Sequence, residues 1–221
     1  MEQQFQYYAF ISYKREDEKW AKWLQDRLRW YKLPSKLCRQ ITRLPKKVWP
    51  VFRDNTDLDS GRLEENIRHE LERSHYLIVI CSPEAARSPW VGKEVKYFAT
   101  LHGADKIIPF VVSGIPYSND IETECIHEQI KAISQEELLA INVREEGIGS
   151  FAMKKKRAFI RVVARLLDIK FNTLWQPYER ILRIRKWSTG IGVVLFLFVL
   201  FILWDYYRCL INANTRKPCV F

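Results

Sequence analysis

Glu94 lies in SPWVGKEVKYF (residues 88–98), which follows an apolar run, YLIVI (76–80), that reads as a buried strand. Ser88 is a good N-cap, and Pro89 suits the first helical position, where no backbone N–H is needed; the stretch therefore opens as a helix. At about 100° per residue, Trp90, Glu94 and Leu101 share one line, with Val91, Val95, Tyr97 and Phe98 flanking it and Lys93 and Lys96 opposite. The carboxylate falls within the apolar arc, an expensive place for an anion unless something uses it. Trp90 offers a flat wall against which a ring or sugar could stack. The alternative is an acid favoured by the helix dipole, but Glu94 is the sixth helical residue, past the turn where the dipole helps most.

Other polar residues are weaker candidates. Asp54, Asp57 and Asp59, in RDNTDLDSG (53–61), read first as turn formers. Lys14 and Arg15, directly after the first apolar run, could neutralise phosphates. Ser82 has no histidine placed to activate it, so a helix cap or a ligand hydrogen bond is its better role. No phosphate-binding loop, HExxH or G-x-S-x-G elbow occurs. Eight glycines in all exclude the usual dinucleotide cradle. The histidines stand singly, and Cys38, Cys81 and Cys125 lack metal-ligand spacing; neither a metal nor a bound cofactor is expected.

The elements that must position these residues come from five apolar runs: YYAFIS (7–12), VWPVF (48–52), YLIVI (76–80), IIPFVV (107–112) and ELLAINV (137–143). Runs apolar throughout indicate strands covered on both faces. Amphipathic helices are expected between them over about residues 16–31, 62–73 and 89–102, with a weaker one over 121–130. Alternating strands and helices mean an α/β fold with a flavodoxin-like, doubly wound five-stranded parallel sheet in the order 2-1-3-4-5. Its functional crevice lies beyond the carboxyl ends of the strands. A basic amphipathic helix over 151–170 is expected to dock on this domain.

Charge is unevenly placed. Residues 1–150 hold 22 lysines and arginines against 23 acids, while residues 151–221 hold 14 against 3. The excess lies in the tail, so a nucleic-acid-binding domain is not expected. The tail also contains WSTGIGVVLFLFVLFILW (187–204), 18 residues without a charge, or ~27 Å as a helix. Trp187, Trp204, Tyr206 and Tyr207 mark its ends, and Arg180, Arg183, Arg185 and Lys186 precede it. Composition thus predicts a single-pass inner-membrane protein with a cytoplasmic N-terminal domain, the basic cluster meeting lipid headgroups. No signal peptide is expected at the N-terminus. The expected parts are a domain at 1–148, a basic helix and juxtamembrane linker at 149–186, a span at 187–204 and a short tail at 205–221. Cys209 and Cys219 in that tail could pair.

FISYKRED, VFRDNTDLDSG and LIVICSPEAARSPWVGKEV, in this order and spacing, resemble the successive signature boxes of TIR domains. The resemblance covers about residues 7–143 and is greatest to bacterial members in which the domain precedes a membrane segment. ECI (124–126) and RAFIRVVARLLDIKFNTLW (157–175) are similar to that subgroup's later part. Many such domains cleave NAD+ at the nicotinamide–ribose bond with one glutamate, four residues past an aromatic on the helix after the third strand. The resemblance implies that Glu94 is that glutamate and Trp90 that aromatic. It also implies that Phe10, Ser12, Lys14, Arg15 and Asp54 line the substrate pocket, with Ser82 and Trp90 opposite. Lys14 stands where an arginine is frequent and keeps its charge without bidentate phosphate recognition. Asp57, Leu58, Asp59 and Gly61 would belong to the BB loop, which joins neighbouring domains and can complete the site in trans. The implied function is an NAD+ hydrolase or cyclase of antiphage signalling, activated by self-association, with NAD+ as substrate and a downstream effector reading an ADP-ribose-type product. The competing readings are a non-catalytic TIR adaptor and a sensor whose membrane helices disrupt the bilayer.

Overall fold

Strands β1 (Tyr7–Ser12), β2 (Val51–Arg53), β3 (Ser74–Cys81), β4 (Ile107–Val111) and β5 (Ile141–Asn142) pair in parallel in the order β2-β1-β3-β4-β5. The computed structural model describes residues 5–41, 44–45, 47–53, 61–133, 140–144, 150–176, 195–204 and 206–208. The expected α/β class and strand order are both observed. Helices α1 (Glu18–Trp30), α2 (Ser35–Gln40), α3 (Gly61–Glu72), α4 (Pro83–Ala86), α5 (Pro89–His102), α6 (Glu128–Ile133) and α7 (Phe151–Leu166) connect the strands or follow the last one.

Strand side chains alternate between the two faces, and both faces are covered. On one, Phe10, Leu77, Val79, Cys81, Ile107 and Val111 pack with Leu71 of α3, Val91, Val95 and Phe98 of α5 and Ile130 of α6. On the other, Phe110 stacks on Trp23 of α1, and Trp23 meets Phe159 of α7 edge-on. The basic helix therefore docks on the domain as expected. The chain divides into two units, Met1–Phe171 and Asn172–Phe221.

The expected membrane anchor is corrected by the structure. Residues 187–194 lie outside the described residues, and residues 195–204 are helical. Among the described residues no helix is long and apolar enough to cross a membrane. Composition reports apolar character alone, whereas a span also needs unbroken helix so that every backbone polar group is paired. The inner-membrane location and the lipid partner inferred from that span fall with it.

Candidate functional site

Ser88 caps α5 as the sequence suggests: its Oγ accepts from the Val91 N–H at 3.5 Å, and Pro89 follows at the first turn. Val91, Gly92, Val95 and Phe98 form the buried stripe of α5. Glu94 is half-buried at the edge of that stripe. It borders a groove of about 310 Å³ between α3 and α5, walled by Ile67, Arg68 and Leu71 on one side and by Trp90, Lys93, Glu94, Lys96, Tyr97 and Thr100 on the other.

Trp90 is 50% exposed, and the Lys93 Nζ stands 4.5 Å from its ring centroid. Across the groove the Arg68 guanidinium lies 5.5 Å from the Tyr97 ring. The Tyr97 hydroxyl donates to Glu72 Oε1 at 2.5 Å, and that bond to an anion raises its pKa. The arrangement offers aromatic walls, one carboxylate and a cationic rim.

The sequence-derived candidates separate into three groups. Trp90 and Glu94 share the groove. Phe10 and Ser12 lie on β1: Phe10 is fully buried in the cluster with Val91 and Val95 and stacks on Phe52 at 5.2 Å. Ser12, at the carboxyl end of β1, is 1% exposed, and its Oγ has no hydrogen-bond partner among the described residues. Lys14 is half-buried and Arg15 exposed, in the loop and short 3-10 turn that lead into α1.

Ser82 takes the helix-cap role expected for it. It is fully buried; its Oγ–H donates to Asp17 Oδ2 in a short bond, and the same oxygen accepts from the Ala85 N–H at 3.1 Å, capping α4. Asp54, Asp57, Leu58 and Asp59 lie outside the described residues, and Gly61 begins α3. Arg53, the last residue of β2, is paired with Ile11 of β1.

Sequence reasoning missed the opposite wall of the groove. Ile67 and Leu71 were readable as the apolar line of α3, but nothing local indicated which helix α3 would face. It also missed Asp17, whose burial raises its carboxyl pKa despite the Ser82 bond. Its place at the N-cap of α1 was the available signal.

A second cleft, about 640 Å³, flanks α5 near α6. Its buried polar groups hold the fold. Glu124 accepts from the Tyr117 and Ile126 N–H groups and pairs with Lys131, while His127 Nδ1 accepts from the Gln129 N–H.

Over 110 residues the chain is 36% identical to NAD(+) hydrolase ApTIR of an Actinoplanes species, a match covering 49% of this chain and 14% of that protein. The chain therefore corresponds to a small part of that relative's length. A solved structure described as the TIR domains of the activated Roq1 resistosome, directly recognizing the pathogen effector XopQ, aligns with 70% of this chain and 98% of its own, at 14% identity and a TM-score of 0.45. The family model for the TIR domain matches residues 9–146, and the chain belongs to the TIR domain family.

Proposed function

We propose that this TIR domain cleaves NAD+ at the nicotinamide–ribose bond, with Glu94 as the catalytic carboxylate. The observation that carries the reading is the half-buried Glu94 bordering a groove with an exposed indole at its mouth. The similarity to a protein named as an NAD(+) hydrolase supports it.

The chemistry asks for little more. Nicotinamide leaves as a neutral molecule carrying the bonding pair, so no general acid is required, in contrast to ordinary glycoside cleavage with its two carboxylates. Positive charge builds on the ribose as the bond breaks. A carboxylate fixed beside a low-dielectric wall stabilises that charge without reorganising at the moment of reaction. Water adding to the ribosyl cation, with loss of a proton, gives ADP-ribose; a nucleophile within the same molecule gives a cyclic product. Self-association enters this reading because residues 54–60, which follow β2 in the sequence, resemble the loop that joins neighbouring domains in this family.

The test is nicotinamide release from NAD+ by purified protein, measured with and without a crowding agent. Activity is expected, rising with crowding. Glu94→Gln should lose at least about 100-fold, since one transition-state charge contact is worth about 3–4 kcal/mol. Trp90→Ala should raise KM. Equal rates for the parent protein and Glu94→Gln, including no activity in either under crowding, overturn the assignment.

A further inference from the structure

Two chain connections meet beyond the carboxyl ends of β1 and β3, strands that pair side by side. The one between β1 and α1 carries Asp17, and the one between β3 and α5 carries Ser82. Asp17 stands at the N-cap of α1, yet its side chain makes no capping bond there. It is 8% exposed, and its Oδ2 accepts from the Ser82 hydroxyl instead. An aspartate at a helix start ordinarily serves its own helix. Here the carboxyl is buried, at a cost in free energy, to hold a residue of the other connection.

From Ser82 to α5 the chain is hydrogen-bonded at each step. The Ser82 Oγ accepts from the Ala85 N–H at 3.1 Å, and the Ser82 carbonyl accepts from the Ala86 N–H at 2.9 Å. The Ala85 carbonyl accepts from the Ser88 N–H, and the carbonyl of Ser88, the cap of α5, accepts from the Gly92 N–H, both at 3.1 Å. Helix α4 within this path has four residues, too few to hold a helical turn without support from outside. Val91, Val95 and Phe98 bury α5 against the sheet, but apolar packing is non-directional. A directional anchor ahead of α5 sets the rotation that brings Trp90 and Glu94 to the groove. We propose that Asp17 is a positioning residue: by holding Ser82 it fixes the start of α5, and with it the placement of Trp90 and Glu94. The inference rests on the NAD+ reading for its catalytic readout alone.

The experiment compares the full-length protein with Asp17→Ala, Asp17→Asn and Ser82→Ala. NAD+ cleavage is measured well below every melting point, and amide hydrogen exchange is followed in the same proteins. Asp17→Ala removes the acceptor, and kcat should fall at least about tenfold, since a misplacement of about 1 Å at a reacting centre can cost about 100-fold. Asp17→Asn keeps an acceptor oxygen and should recover most of that rate. In Asp17→Ala, exchange should rise more at Ala85, Val91 and Gly92 than in β1 and β3, whereas a loss of stability throughout the domain would raise all of them alike. Ser82→Ala removes the same bond from its donor side and should show both effects, including where Asp17→Ala does not fold. A folded Asp17→Ala with the parent's kcat, an Asp17→Asn as slow as Asp17→Ala, or a uniform rise in exchange overturns the inference and leaves NAD+ cleavage standing. A parent protein that cleaves no NAD+, with exchange rising selectively at Val91 and Gly92 in the variants, keeps the anchoring of α5 and overturns the enzymatic reading. No cleavage together with no selective rise overturns both.

Discussion

Asp17 and His127 are buried ionisable residues that pull the pH dependence of the fold in opposite directions. Asp17 is 8% exposed; burial is the largest cause raising its pKa, and Glu84 and Glu16 add to it, against the lowering effect of the Ser82 bond. A raised folded pKa means that the native state holds the proton more tightly than the unfolded chain. The contribution is full below the ordinary value of 3.8 and is lost as pH rises through the folded value. Asp17→Asn removes the charge while its amide oxygen can still accept from Ser82. Urea midpoints should therefore lie above those of the parent protein at pH 7 and converge with them in acid; a lower midpoint at pH 7 would show that the charged form is the one that stabilises. His127 behaves in the reverse sense. Burial lowers its pKa, as it does for His75 and His102. Their contribution is present above 6.5 and is lost as pH falls through the depressed folded values. For His127 the structural reason is direct: an imidazolium cannot accept the Gln129 N–H at its Nδ1. His127→Gln should reduce the acid loss of stability only in part, because His75 and His102 remain. At this scale the sequence marked Glu94 and Trp90 correctly as neighbours, since their spacing on one helix is local information. It gave no means of seeing that Ser82 would be taken up by Asp17, 65 residues earlier in the chain.

The position of α5, and so of Glu94, depends on how closely α6 approaches it. Gly92 has no side chain, and an added Cβ would stand 2.5 Å from His127 Cε1 and 2.7 Å from Nε2. The ring belongs to a residue bonded through its other nitrogen, so it is not the far end of a freely moving side chain. Gly92→Ala must push the helix and the ring apart, at a cost of about 1–3 kcal/mol from overpacking, and Glu94 is only two residues away. Melting and NAD+ cleavage should both decline. In a double-mutant cycle, adding His127→Ala should recover part of the loss, because the two residues are in contact; strictly additive losses would place the cause elsewhere. Elements with complete local instructions were legible in the sequence. The Ser-Pro start of α5 and the uninterrupted apolar runs of β1, β3 and β4 appear where expected. Boundaries moved where a side chain competes for the backbone or a donor is missing. Pro50 cannot donate to a sheet ladder, and β2 starts at Val51 rather than at Val48. The helix expected over 121–130 begins at Glu128, because Asp120 draws the chain into a turn by accepting the Glu122 N–H at Oδ1. The segment 137–139 of the expected last strand lies outside the described residues, and the observed pairing is Ile141–Asn142.

For the domain as a whole, the family match and the physical unit have different ends. The match stops at residue 146, yet α7 begins at Phe151 and buries Ala158, Phe159, Ile160, Val162, Val163, Ala164 and Leu166. Trp20 and Trp23 of α1 hold the Lys155 Nζ at 4.2 and 4.1 Å, and Phe159 also meets Tyr31 at 5.4 Å. The sequence made this docking readable through the apolar side of the basic helix, because periodicity shows that a face must be covered. Without α7, one face of the sheet would lose its cover over Trp23 and Phe110, and an exposed apolar face of that kind drives association. A chain ending at residue 146 should accordingly aggregate or unfold non-cooperatively, whereas one ending at residue 171, the edge of the first unit, should melt in a single transition. Phe159→Ala in the full chain should cost about 3–5 kcal/mol, the usual penalty for emptying an aromatic core position. Because α7 lies on the face of the sheet opposite α3 and α5, nicotinamide release at a temperature well below that variant's melting point should stay close to the parent rate. A large loss there, with the fold intact, would mean that α7 shapes the Glu94 groove through the sheet and does more than cover it.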